Sequence, residues 1–198
     1  MDFEIENALY LSGYKAVAGI DEAGRGPLAG PVAAACVILD PQNIPEGIND
    51  SKKLSEKKRE KLYDEIMASA IAVSCVMTDE KVIDEINILE ATKLTMRKCV
   101  EEIKITPDYI LIDGNFTIGA IKNERSVIGG DAKSLSIGAA SIIAKVTRDR
   151  YMKILDEEYP MYGFIKHKGY GTKAHIEAIR EFGPCKHHRR SFLTKILK

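Results

Sequence analysis

The chain has 198 residues, 45% hydrophobic and 29% charged, with 29 Lys+Arg balancing 29 Asp+Glu. This composition excludes a disordered tail, a collagen-like chain and a coiled-coil rod, and the length suits a single catalytic-sized domain over 1–198 with a core of its own. No apolar stretch nears the ~20 residues of a membrane helix, the acidic MDFEIENALY start lacks a secretory pattern, and four scattered cysteines without a CxxC pair suit free thiols, so a soluble cytoplasmic monomer is expected.

In chain order, Ala16–Ile20 reads as a short apolar strand, followed by the loop-like DEAGRGPLAGP. Val32–Leu39, bounded by Pro31 and Asp40-Pro41, reads as a buried strand. Ser55 fits an N-cap, opening a helix with Leu62, Ile66 and Ala70 at four-residue spacing. Ile71–Thr78 reads as a strand and Ile88–Ile103 as an amphipathic helix. Tyr109–Ile112 is a short strand ending in Asp113-Gly114-Asn115, and Ser126–Ile128 a weaker one before Gly129-Gly130-Asp131. Leu135 to about Tyr159 is a long helix, and Thr172 caps a final helix that stops at Gly183-Pro184. Early strands followed by alternating helices and strands indicate an α/β layer fold.

The zero net charge conceals an asymmetry. From Gly163 to Lys198 nine Lys/Arg (including Arg189, Arg190, Lys195 and Lys198) face only Glu177 and Glu181, giving +7 there and −7 before it. All four histidines fall in the same tail. An acidic body with a basic end can set a metal site beside a polyanion-binding surface, while the plain alternative is a solvated helical tail over about 160–198.

Acidic residues recur at strand ends: Asp21-Glu22 after the first, Asp113 on the fourth and Asp131 after the fifth. Open α/β sheets gather functional groups there, and hard oxygen donors select Mg²⁺ or Mn²⁺ over zinc. The alternative is that these residues merely cap turns, which suits one such Asp better than several. Asp21 and Glu22 would point to opposite faces of a strand, so a turn is expected at them, eased by Gly24 and Gly26. The loop GRGPLAGP is neither GxxxxGK[ST] nor GxGxxG, but Arg25 between two glycines can meet a phosphate. Lys52 and Lys53 are further phosphate candidates, with solvation as the alternative. Tyr170, between Gly169 and Gly171, can stack on a sugar or base, or simply pack in a turn. Cys185, His187 and His188 match no standard zinc spacing. Asp149, beside Arg148 and Arg150, reads as a structural ion-pair residue.

The run Gly19-Ile20-Asp21-Glu22-Ala23-Gly24-Arg25-Gly26-Pro27-Leu28-Ala29-Gly30-Pro31-Val32 resembles the signature of the type 2 ribonuclease H family, in its bacterial ribonuclease HII form. DSKKLS from Asp50, LIDGN from Leu111, GGDAKSLSIGAASIIAKVTRDR from Gly129, HKGYGT from His167 and HRRSF from His188 extend the likeness over Ala16 to Phe192, with a slight departure around Cys185-Lys186-His187. The resemblance implies a ribonuclease-H-like mixed five-stranded sheet flanked by helices, with a C-terminal helical segment. It implies an endonuclease that hydrolyses the RNA strand of RNA–DNA hybrids and incises 5′ of single ribonucleotides in duplex DNA, leaving a 3′-hydroxyl and a 5′-phosphate. By position it makes Asp21, Glu22, Asp113 and Asp131 the carboxylates for two Mg²⁺ or Mn²⁺ ions. Gly24, Arg25 and Gly26 would contact the 2′-hydroxyl, Tyr170 the following deoxyribose, and Lys52, Lys53, Lys168 and Thr172 phosphates. The related type 3 enzymes usually carry an extra N-terminal domain, and Asp rather than Glu at 131 also favours type 2. Rival readings are a junction resolvase of the same fold, a nucleotide-binding ATPase without a recognisable lysine motif, and a catalytically silent nucleic-acid-binding module.

Overall fold

The computed structural model describes residues 2–194, 196 and 197, so Lys195 and Lys198 of the basic tail lie outside the described residues. The elements are α1 (Glu4–Leu11), β1 (Val17–Ala23), β2 (Val32–Ile38), α2 (Glu56–Ser69), β3 (Ala72–Thr78), α3 (Glu80–Ile86), α4 (Ile88–Glu102), β4 (Tyr109–Asp113) and β5 (Glu124–Val127). There follow α5 (Leu135–Glu158), α6 (Phe164–His167), α7 (Lys173–Phe182) and α8 (Arg190–Leu193), with 3₁₀ turns at Gly130–Ala132 and Pro160–Tyr162. Among the described residues no helix is long and apolar enough to cross a membrane.

The strands form one mixed sheet in the order β3-β2-β1-β4-β5. β1 pairs antiparallel with β2 and parallel with β4, so the chain reverses its winding at β1. Residue parity sorts the two faces. Ala18, Ile20, Ala34 and Cys36 bury against Met96 and Cys99 of α4. Ala35 and Val37 bury against Ala139, Ile142 and Ile143 of α5 and against Leu62 and Ile66 of α2. Small side chains bring α5 close: a Cβ on Gly19 would stand 2.1 Å from the Ser136 carbonyl carbon. Ser55 and Thr172 cap α2 and α7 as expected, each hydroxyl accepting from an amide 3.3 Å away. The free thiols expected of the cysteines are found, with Cys36 and Cys99 buried.

Three expectations need correction. β1 does not turn at Asp21-Glu22; it runs on to Ala23, with Asp21 opposite Ala35 and Glu22 opposite Ala34. Hydrogen bonding to β2 sustains it there, although the ladder to β4 ends at Ile20 and Ile112. β5 starts at Glu124 rather than Ser126, because parallel pairing with β4 sets its register. Arg189, counted among the solvent-facing basic residues, is fully buried.

Candidate active site

β1 and β4 are parallel neighbours, so Asp21 and Asp113 arrive together at their C-terminal ends, where the winding reverses. Both have odd parity and face the α5 side, like Leu111 and Val17, which pack on Ile137. Asp21 is 4% exposed and accepts the Glu22 amide at 2.7 Å. Burial first, then the charges of Glu22 and Asp113, hold its carboxyl well above the ordinary range, against the pull of the Ser141 hydroxyl. Glu22 is also raised by burial, opposed by Arg25, whose guanidinium lies 3.3 Å away. Its second oxygen, Oε2, is buried without a hydrogen-bond partner. Asp113 is raised by burial and then by the charge of Asp131. Its Oδ1 accepts the Gly130 amide at 2.7 Å and reaches the Asp131 amide at 3.4 Å, which fixes the 3₁₀ turn carrying Asp131.

Glu22 reaches the same cleft from the opposite face of β1. Beyond Ile20 that strand has no β4 partner beside it, so both faces open onto one space. The cleft, about 200 Å³, is lined by Asp21, Glu22, Asp113, Gly24, Arg25, Gly26, Lys52 and Tyr170. Asp131 joins through Lys52, whose Nζ lies 3.2 Å from its Oδ2. Partial burial pulls the Lys52 ammonium down, yet the hydrogen bond and charge of Asp131 leave it raised. Lys52 therefore pairs with a carboxylate here while its side chain stays exposed. Lys53 lies exposed in the adjoining turn, Lys168 Nζ donates to the Ile165 carbonyl at 2.8 Å, and the Thr172 hydroxyl serves the α7 cap.

Among the described residues no three His, Cys, Asp or Glu side chains are drawn tightly enough together to hold an ion as they stand. Like charges in a buried space repel, and Lys52 and Arg25 each occupy one of the four carboxylates. The donor set nevertheless fits hard divalent cations: all-oxygen, with Asp21, Glu22 and Asp113 each raised in pKa first by burial, and with one buried carboxylate oxygen still lacking a partner.

Residues 18–195 match the family model described as ribonuclease HII. The chain is 56% identical over 195 residues to a ribonuclease HII of Caldicellulosiruptor bescii, covering 98% of this chain and 95% of that protein. It is 57% identical over 192 residues to that of Acetivibrio thermocellus, covering 97% and 75%. The ribonuclease H2 of Pyrococcus horikoshii OT3 superposes with a TM-score of 0.78 at 30% identity, over 92% of this chain and 97% of that one.

The chain belongs to the ribonuclease HII family.

It is thus an endoribonuclease of a metal-dependent group. Bst-RNase HIII, solved in complex with Mn²⁺, is similar in fold at a TM-score of 0.63 and 20% identity, covering 85% of this chain and 63% of that one. In this ribonuclease HII two buried arginines hold the glycine-rich loop. Arg189 donates to the carbonyls of Gly24 (2.6 Å), Arg25 (3.0 Å) and Gly30 (2.9 Å). Arg148 donates to those of Pro31 (2.9 Å), Ala29 (3.1 Å) and Lys168 (2.9 Å). Gly24, at φ +94, has no room for a Cβ, which would lie 2.1 Å from Arg148 Nε. Gly26 differs: a Cβ there would touch only the Tyr170 ring, at 3.5 Å.

Sequence reasoning missed Ser141, Lys145 and Arg148, which also line the cleft. Their spacing on α5 is i, i+4, i+7, one helical face, and that pattern was the available signal. Asp149 pairs with Lys145 at 2.7 Å rather than with either neighbouring arginine. Arg148 is turned inward, and Arg150 reaches Glu60.

Proposed function

We propose that this enzyme hydrolyses the RNA strand of RNA–DNA hybrids and incises duplex DNA on the 5′ side of a lone ribonucleotide, leaving a 3′-hydroxyl and a 5′-phosphate. The observation that carries the reading is one cleft with a carboxylate floor and, on its wall, a backbone loop beside an exposed aromatic ring. Asp21, Glu22, Asp113 and Asp131 would hold two Mg²⁺ or Mn²⁺ ions. Bound there, such ions supply charge neutralisation at the phosphate and a water of lowered pKa. Hydrolysis needs in-line attack on phosphorus with departure of the 3′-oxygen, and charge neutralisation serves it better than a protein nucleophile would.

The protein's own part is positioning. The Asp113 carboxylate is aimed by the Gly130 amide, and the Asp21 carboxylate by the Glu22 amide. Recognition must read the 2′-hydroxyl, the sugar group that separates RNA from DNA. With the carbonyls of Gly24 and Arg25 bound to Arg189, the loop presents a fixed backbone to that hydroxyl. The Tyr170 ring, 45% exposed and lining the same cleft as Gly26, would stack on the next deoxyribose, where a 2′-hydroxyl would crowd it. Lys52 is suited to exchange Asp131 for a backbone phosphate when cations take up the carboxylate.

The deciding experiment is incision of a duplex with one embedded ribonucleotide, alongside an RNA–DNA hybrid and all-DNA and all-RNA duplexes. Cuts 5′ of the ribonucleotide and in the hybrid, with both controls intact, are expected. Cleavage of all-DNA branched duplexes at a comparable rate would instead favour a junction resolvase.

A further inference from the structure

The Tyr170 ring is half exposed and flanked by glycines, so its place depends on the backbone that carries it. That backbone is unusual: Lys168 has φ 51 and Gly169 φ +85, both in the left-handed region. A non-glycine residue persists there only where its surroundings over-determine it.

Arg148 on the Lys168 carbonyl (2.9 Å) and the Leu28 amide on the Gly169 carbonyl (2.8 Å) hold one side of this backbone, and three histidines hold the other, with proton positions that follow from their partners. His167 Nε2 lies 2.9 Å from the Tyr162 carbonyl, which can only accept, so Nε2 carries the proton. Its Nδ1 then accepts the Gly169 amide at 3.2 Å. His188 Nδ1 accepts the Cys185 amide at 3.0 Å, with the Cys185 thiol 3.2 Å away, so the His188 proton sits on Nε2. That Nε2 donates across 3.1 Å to His175 Nε2. His175 must therefore carry its proton on Nδ1, which donates to the Tyr170 carbonyl at 2.9 Å, beside the Thr172 amide at 2.8 Å. The His167 and His175 rings stack at 4.4 Å, and Tyr162 and Phe164 pack edge-on against His188 and His175 respectively. Burial pushes both His175 and His188 down to about 4, so each is neutral near pH 7.

We infer that His167, His175 and His188 are positioning residues, a hydrogen-bonded brace that grips the backbone at Gly169 and Tyr170 and holds the ring in the cleft wall it shares with Gly26. The inference rests on the proposed reading that this ring meets the substrate sugar. His167 lies on α6 and His175 on α7, while His188, between α7 and α8, bridges to Ala29; none of the three hydrogen-bonds to the carboxylates or to Gly24, Arg25 or Gly26.

The test has two arms. In ¹⁵N-labelled wild-type enzyme at neutral pH, nitrogen NMR should find His167 and His188 protonated on Nε2 and His175 on Nδ1. A His175 proton on Nε2 would overturn the brace. His175→Leu removes the donor, whereas His175→Asn keeps an N–H near the Nδ1 position. At matched thermal stability, the Leu variant should lose about tenfold in amide-exchange protection over 169–172, and the Asn variant far less. In the second arm, His175→Leu should cut kcat at a single embedded ribonucleotide about tenfold, with KM little changed and Asn largely restoring it. Added to Tyr170→Ala, His175→Leu should cost nothing further; independent, multiplying losses would overturn the positioning role. Unchanged exchange in His175→Leu would overturn the brace whatever Tyr170 does. An active Tyr170→Ala would overturn the reading of Tyr170 and with it the functional role, while the exchange arm still reports on the brace.

Discussion

Replacing Asp21 by Asn should stop cleavage and yet stabilise the metal-free protein. The carboxyl is raised well above its ordinary value of 3.8, by burial and then by Glu22 and Asp113. Between those two values the folded chain binds more protons than the unfolded one, so stability falls as pH rises through that window. Above it, the whole penalty remains. Each unit of elevation corresponds to about 1.4 kcal/mol, and for a domain of this length that is about 3–6 °C in Tm. Asn keeps the shape, and its oxygen can still accept the Glu22 amide, held at 2.7 Å in the wild type. In EDTA at pH 7 the variant should therefore melt about 3–6 °C higher per unit of elevation removed, with the advantage shrinking toward pH 4 as the wild-type carboxyl protonates. Mg²⁺ should stabilise the wild type through linkage and the variant much less. Thermal unfolding by circular dichroism across this pH range, with and without Mg²⁺, reads both effects beside a cleavage assay. A lower Tm for the variant in EDTA, an equal gain from Mg²⁺ in both proteins, or near-normal turnover would refute the reasoning.

Asp131→Asn should lower turnover by about 10²–10³-fold, whereas Asp149→Asn, which loses only the 2.7 Å pair with Lys145, should keep substantial activity; the reverse ranking in steady-state kinetics would misplace the fourth carboxylate. Arg189→Met leaves the carbonyls of Gly24, Arg25 and Gly30 without their donor, and should cost about 3 kcal/mol or more, seen as a Tm about 6–12 °C lower. Tyr170→Phe should incise a single embedded ribonucleotide nearly as well as wild type and Tyr170→Ala far less, since the ring face forms the stack; equal damage would implicate the hydroxyl. Lys166→Gln with Lys168→Gln should flatten the salt dependence of duplex binding by about 0.9 in slope for each phosphate left without its lysine, and an unchanged slope would leave those two lysines merely solvated.

The sheet was legible because its central strands carry apolar runs, and the long helix because Pro160 ends it. The edges were less so: β5 has little apolar content and takes its limits from pairing with β4. α1 escaped notice because its apolar residues, Ile5, Leu9 and Tyr10, find cover against a cluster whose members Leu111, Val127 and Ile137 lie far along the chain. At the site, the carboxylates were visible as strand-end acids, but the turn expected at Asp21-Glu22 was not made. Periodicity could not reveal that a strand losing one neighbour opens both its faces to one cleft. Arg189 misled for a related reason. Charge predicts exposure on average, yet a guanidinium has five donors and can be buried where carbonyls converge.

The same arginine has a bearing on biosynthesis. Chains fold from the N-terminus as they are made, and the glycine-rich loop is among the first residues to appear. Its carbonyls nevertheless find their partner 159–165 positions later, at Arg189. The strands, complete by Val127, can therefore pair before Arg189 is made, and the loop is held at Gly24, Arg25 and Gly30 only once that residue is in place.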